Sequence, residues 1–199
     1  PALQQAIIRA ALEIIYEDIP ERDRVVEIAR AQVEEARQFV IDHEIVTPTD
    51  DPLEIILMPE FRQGVSMAYC DAPGPLEPGL RTYYVVSPIP EDWTEAQALS
   101  FLREYNIWSL QDLSMHEAIP GHFMQLGLAN RYPSTLRAML ASGPFIEGWA
   151  VYSERVMVEA GYQDHDDRMR LINLKWYLRS VTNALVDQGV HVHGMTEEE

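Results

Sequence analysis

A proline and a glycine stand between two histidines in His116-Glu117-Ala118-Ile119-Pro120-Gly121-His122. No other stretch constrains the fold as much. A regular helix turns about 100° per residue, so a step of six turns about 600° and points the second side chain away from the first. His116 and His122 cannot serve one centre from an undistorted helix. Pro120 lacks the N–H that would bond the carbonyl of His116, and its ring clashes there. Gly121 accepts backbone angles that other residues avoid. Together they can bulge or break the helix and return His122 to the side of His116. If they merely end a helix, both histidines are ordinary polar residues.

Around this point the chain reads as mainly helical. Residues 2–19 carry Leu3, Ile7, Ala11, Ile14 and Ile15 close to the helical period. A second helix is expected from Pro20 to about Val46, with Val25, Ile28, Ala29, Val33, Ala36 and Val40 on one face. The tight connection predicts an antiparallel N-terminal helical pair over residues 1–52. Residues 53–58, 65–70 and 81–87 are short β-branched or aromatic runs bounded by Pro and Gly, which predicts a small antiparallel sheet. Thr94 with Gln97 is a capping box that opens a helix running to about Ile119. Further helices are expected at about 122–130, 134–141, 147–160 and 166–188, the last closed by Gly189. The fold class is therefore α+β, mainly helical, with residues 53–199 as a second unit. Thr196-Glu197-Glu198-Glu199 is another capping box with no helix behind it: either an acidic tail, or, as the start signal favours, a chain cut short of a further helix.

Composition excludes several function classes. The chain has 199 residues with 47% hydrophobic and 24% charged, enough for a real core. It carries 32 acidic and 15 basic residues, for a net charge of −17, and Lys175 is its one lysine. Such a chain has no electrostatic footprint for nucleic acid or for an anionic membrane. A lone Cys70 excludes an internal disulfide and any cysteine-based zinc cluster. No apolar run approaches the roughly 20 residues of a membrane span. Residues 1–8 lack the pattern of a signal peptide, so a cytoplasmic location is the expectation.

The His-Glu pair with a second His is related to the pattern H-E-x-x-H, in which two His bind zinc and the Glu activates water. Three protein ligands are needed, and Glu147 is the candidate for the third. It sits after a Ser-Gly-Pro loop in an apolar setting where a carboxylate needs a partner. The plain alternative is an acidic charge complementing a helix N-terminus. Asp112, one turn before His116, can hold the imidazole from behind or can be a solvated charge. Glu154, two turns after Glu147, can orient a ligand in the same way.

Three segments in order sharpen this reading: HEAIPGH, then IEGWAVYSE from Ile146, then VDQGVH from Val186. Together they resemble the large, mostly bacterial domain of unknown function family 885, whose members look like gluzincin-type zinc metallopeptidases. The segment at Glu147 is also similar to the glutamate-ligand helix of gluzincin aminopeptidases, with Ile146 in place of their Asn. The resemblance implies a zincin-like core, His116, His122 and Glu147 as zinc ligands, and Glu117 as the base acting on a zinc-bound water. It also implies a role for His191 in the transition state. Family members are much longer, and an Arg they tend to carry is replaced near Asn183.

Zinc peptidases commonly bind the substrate backbone along an edge strand. Residues 81–87, with Tyr83 and Tyr84, are the candidate here, and Tyr152 can face the metal or pack in the core. The expected function is a zinc-dependent hydrolase acting on a peptide or small amide. The rivals are a metal-binding but inactive piece of a longer enzyme and a non-catalytic acidic helical module.

Overall fold

The computed structural model describes residues 2–63, 66–77 and 79–197. Val65, at the start of the second expected strand, and Glu198 and Glu199, in the C-terminal capping box, lie outside them. The helices are α1 (Ala2–Ile15), α2 (Val25–Asp42), α3 (Glu95–Glu104), α4 (Ile107–Glu117), α5 (His122–Asn130), α6 (Thr135–Met139), α7 (Gly143–Glu159) and α8 (Asp167–His193). The strands are β1 (Leu53–Leu57), β2 (Ala68–Asp71) and β3 (Thr82–Val86). The mainly helical α+β class holds.

The sheet is mixed rather than antiparallel. Its order is β1-β3-β2, with β1 parallel to β3 and β2 antiparallel to it. The candidate edge strand is therefore the central one. Thr82, Tyr84, Val85 and Val86 are all buried, as a strand covered on both faces requires. Its backbone is spent on two neighbours, so no peptide can add to it.

Helix α4 is the axis of the molecule. Asn106 caps it by accepting from the N–H groups of Trp108 and Ser109, and this cap divides the expected long helix into α3 and α4. Seven of its residues are buried, among them Asp112, Met115 and Glu117. It packs against α2, α7, α8 and β2. Val25, Ala29, Val33, Ala36 and Val40 of α2 recur at three- and four-residue steps and join Leu110, Met115, Ile119 and Phe123 in one core. The expected α1–α2 pair does not form along its length. Ile15 is the one buried residue of α1, and α2 spends its apolar face on α4 and β1.

Helix α8 runs through Gly189 and ends at Gly194, whose φ of 68° makes it the left-handed closing residue. Its inner face buries Met169, Ile172 and Asn173. From Tyr177 to Gln188 every residue is exposed.

Candidate metal centre

The turn between α4 and α5 brings the two histidines together. After Glu117 the helix loosens: Ile119 N–H bonds Ser114 O, and Gly121 N–H bonds Met115 O at 3.0 Å. The Ile119–Pro120 bond is cis. Trp149 of α7 donates its indole N–H to Pro120 O at 2.9 Å and ties the turn down. The imidazoles of His116 and His122 stand edge to face with centroids 4.6 Å apart.

Glu147 completes the cluster from α7. That helix begins at Gly143, one turn earlier than the periodicity predicts, because Ser142 caps it and Pro144 fits its first turn. Glu147 Oε2 lies 3.8 Å from His116 Nε2 and 3.5 Å from His122 Nε2. One ligand atom from each of the three residues falls within 4.8 Å of the others. The His116 imidazole beside it, ahead of His122, holds the Glu147 carboxyl below its ordinary range.

Behind His116 lies a buried carboxylate network. His116 Nδ1 meets Glu154 Oε1 at 2.5 Å, which turns Nε2 toward Glu147 and His122. Asn173 donates to Asp112 at 2.9 Å and to Glu154 at 3.2 Å. Burial pushes both carboxyls up, and the neighbouring charge of Glu154 raises Asp112 further. Burial alone would lower the His116 imidazolium; bonds to Glu147 and Glu154 override it and carry the ring up to about 10. His122 is the opposite case: burial and the charge of His116 push it down to about 4, and its buried Nδ1 has no partner among the described residues.

Glu117 is 8% exposed and faces β2. It accepts from the backbone N–H of Cys70, and burial drives its carboxyl up to about 7 against the pull of His116. It can therefore gain and release a proton near neutrality. The Cys70 N–H is free to donate because β2 is an edge strand. Ser87 N–H bonds Met67 O at 2.7 Å, so by antiparallel alternation Ala68 and Cys70 turn their backbone groups away from β3.

The other sequence candidates lie elsewhere. Tyr84 is fully buried, with its hydroxyl 3.3 Å from Ser114 Oγ, and cannot meet a substrate. Tyr83 is half-buried on β3, paired with Glu54 and Asp71. Tyr152 is exposed on α7, its ring 6.1 Å from that of Trp149. His191 is exposed on the last turn of α8, beyond the helix end expected at Gly189, where its Nδ1 bonds Asp187 O at 2.9 Å. Sequence reasoning missed Asn173 and the Cys70 N–H. A lone Asn among Met169 and Ile172 on the buried face of α8 was the available signal for the first.

Comparison with known proteins agrees with the sequence resemblance at the level of the family. The description "Bacterial protein of unknown function (DUF885)" matches residues 3–199. The chain belongs to this family. A solved structure from Shewanella oneidensis, described as "a putative lipoprotein of unknown function", is 40% identical with a TM-score of 0.84, over 97% of this chain and 34% of that one. A second, described as "the putative lipoprotein from Colwellia psychrerythraea", is 23% identical with a TM-score of 0.75, over 92% of this chain and 30% of that one, and shares the fold. The chain thus spans about a third of the length of each. No curated protein matches it.

Proposed function

We propose that this member of the family is a zinc-dependent hydrolase with a zincin-like core, acting on peptides or small amides. One observation carries the reading: two imidazole Nε2 atoms and one carboxylate oxygen converge with ligand-like spacing. Tetrahedral zinc with bonds of ~2.0–2.1 Å sets its ligand atoms about 3.3 Å apart. The Glu147 oxygen is 3.5 and 3.8 Å from the two nitrogens, and all three atoms lie within 4.8 Å, so the ligands would draw inward on binding. Two His and one carboxylate are also a usual zinc set with a position left open.

Zinc, when bound, would act as a Lewis acid toward water and a carbonyl. Glu117 would take a proton from the attacking water. As the carbon–nitrogen bond breaks, it would pass that proton to the leaving amine. Glu154, 2.5 Å from His116 Nδ1, would hold the ring in the tautomer that presents Nε2. The free edge of β2, not β3, would align the substrate backbone beside Glu117. The description of the Shewanella protein as a lipoprotein favours the cell envelope over the cytoplasm for this chain too.

The test is zinc content per chain alongside hydrolysis of a peptide panel. We expect about one zinc in the parent, none in His116→Ala or Glu147→Ala, and full zinc in Glu117→Gln with hydrolysis lowered roughly 10²–10⁴-fold. Full hydrolysis by Glu117→Gln would end the proposal. A second reading has its own support, because the Glu147 side chain is 69% exposed and the chain spans a third of its solved relatives. In it the metal is held and turnover needs further chain, so zinc binding without hydrolysis selects that reading.

A further inference from the structure

Between β2 and α4, the two elements that hold Glu117, opens an aromatic cleft that the reaction proposed above does not use. Its volume is about 350 Å³, and its lining includes Met67, Ala68, Trp93, Phe101, Leu113 and Trp176. Clefts that hold whole ligands run from ~300 to ~1,000 Å³, so this one has room for a single large side chain. The ring edges are fixed by packing. Trp93 meets Phe101 at 5.2 Å, Phe101 meets Tyr105 at 4.8 Å, and Tyr105 meets Trp176 at 5.9 Å.

Two elements tie the cleft to Glu117. Along α4, Leu113 precedes Glu117 by one turn on the same face, a rise of about 6 Å. Along β2, Ala68 precedes Cys70 by two residues, about 7 Å of strand. Cys70 is the residue whose N–H holds Glu117. The outward backbone groups of Ala68 are the next pairing point on that free edge. An extended chain paired there would carry one side chain over the cleft while its amide two residues away lies beside Glu117.

The rim and floor add chemistry. The Arg179 guanidinium stacks 4.9 Å over the Trp176 ring and lends the cleft a positive charge in a strongly acidic protein. It opposes a cationic side chain. The Trp176 Nε1–H is buried and has no partner among the described residues.

We propose that this cleft is the specificity pocket of the same site, selecting a substrate with an aromatic or large aliphatic side chain within two residues of the scissile amide and rejecting lysine there. This rests on the hydrolase reading, so the test separates the two. Peptides differing only at that position, with Phe, Leu, Ala or Lys, would be compared in competition. A pocket of this kind discriminates ~10–200-fold on small differences of apolar bulk. We expect kcat/KM for Phe and Leu at least about tenfold above Ala, with Lys lowest. Leu113→Trp should remove the preference by filling the cleft. Arg179→Glu, an exposed substitution, should raise the Lys peptide relative to Phe without altering zinc content.

Binding is read independently of turnover. N-acetyl-phenylalaninamide should shift the Trp176 indole N–H resonance saturably, and N-acetyl-alaninamide should not. If no peptide is cut, the hydrolase reading is what fails or awaits further chain, and the indole shift alone decides the cleft. Equal rates for Phe and Ala, or an indole resonance indifferent to the phenyl probe, would overturn the proposal.

Discussion

Gly121→Ala should cost both the metal and much of the fold. Gly121 lies where the chain turns back on α4, and a methyl there would sit 1.9 Å from the carbonyl oxygen of His116 and 2.5 Å from that of Met115. Carbon and oxygen in close non-bonded contact stand about 3.3 Å apart or more. The backbone must therefore move by at least about 1.4 Å, and neither partner is a flexible side-chain end. Metal ligands tolerate roughly 0.2 Å, and His122 is the next residue. We expect zinc affinity to fall by at least ~100-fold, as when a functional group is misplaced by about 1 Å. The clash belongs with the severe destabilisations, about 3–5 kcal/mol. For a chain of this size that lowers Tm by roughly 6–20 °C. Differential scanning calorimetry of metal-free protein and zinc titration with a competing chelator would measure the two effects. A variant that binds zinc as the parent does and melts within 2 °C of it would refute the argument.

Other positions give contrasting outcomes. Gly148→Ala, one residue past Glu147, meets nothing within 4 Å in the interior of α7 and should stabilise by about 0.5–1 kcal/mol in chemical denaturation. Glu154→Gln should weaken zinc binding ~10–100-fold in a chelator competition, because His116 loses its anionic partner. Tyr84→Phe should cost about 1 kcal/mol with unchanged zinc content, since among the described residues its hydroxyl meets Ser114 alone. Burial, followed by the charge of Glu117, pushes the Cys70 thiol up, so iodoacetamide should modify it far more slowly at pH 8.5 than it modifies a free thiol.

What the sequence reveals depends on whether a signal is local. The cap at Thr94 is local and reads directly, as does the break at Pro120-Gly121. The place of β3 is not local. Residues 82–86 could pair on one side or both, and only the run of buried Tyr84, Val85 and Val86, without alternation, hints at a central strand. The split between α3 and α4 is hidden because the apolar period continues across it, and Asn106 acts as a cap only once Trp108 and Ser109 are folded beneath it. Gly189 looks like a helix end, but Gly194 has the left-handed angles and does the closing. The ligand triad is legible as residue types. Its geometry is not, because it depends on a turn pinned by Trp149 from another helix. Asn173 escapes notice because its two partners lie 61 and 19 residues away.

The centre is built from unequal halves, and this decides how its parts respond to change. His116, His122 and Glu154 are held among buried neighbours on α4, α5 and α7, with Asn173 of α8 closing the network. Glu147 is set apart, with its side chain 69% exposed at the start of α7. Removing an exposed carboxylate costs little packing. Removing Glu154 leaves His116 Nδ1 without its acceptor and strips the Asn173 amide of one of its two, and a buried group left unpaired costs ~1–3 kcal/mol. Glu147→Ala should therefore abolish zinc binding while leaving metal-free Tm nearly unchanged, and Glu154→Ala should lower both. The exposed half is also the open side, where a ligand carboxylate can adjust to metal and substrate. The buried half supplies the fixed frame against which that adjustment takes place.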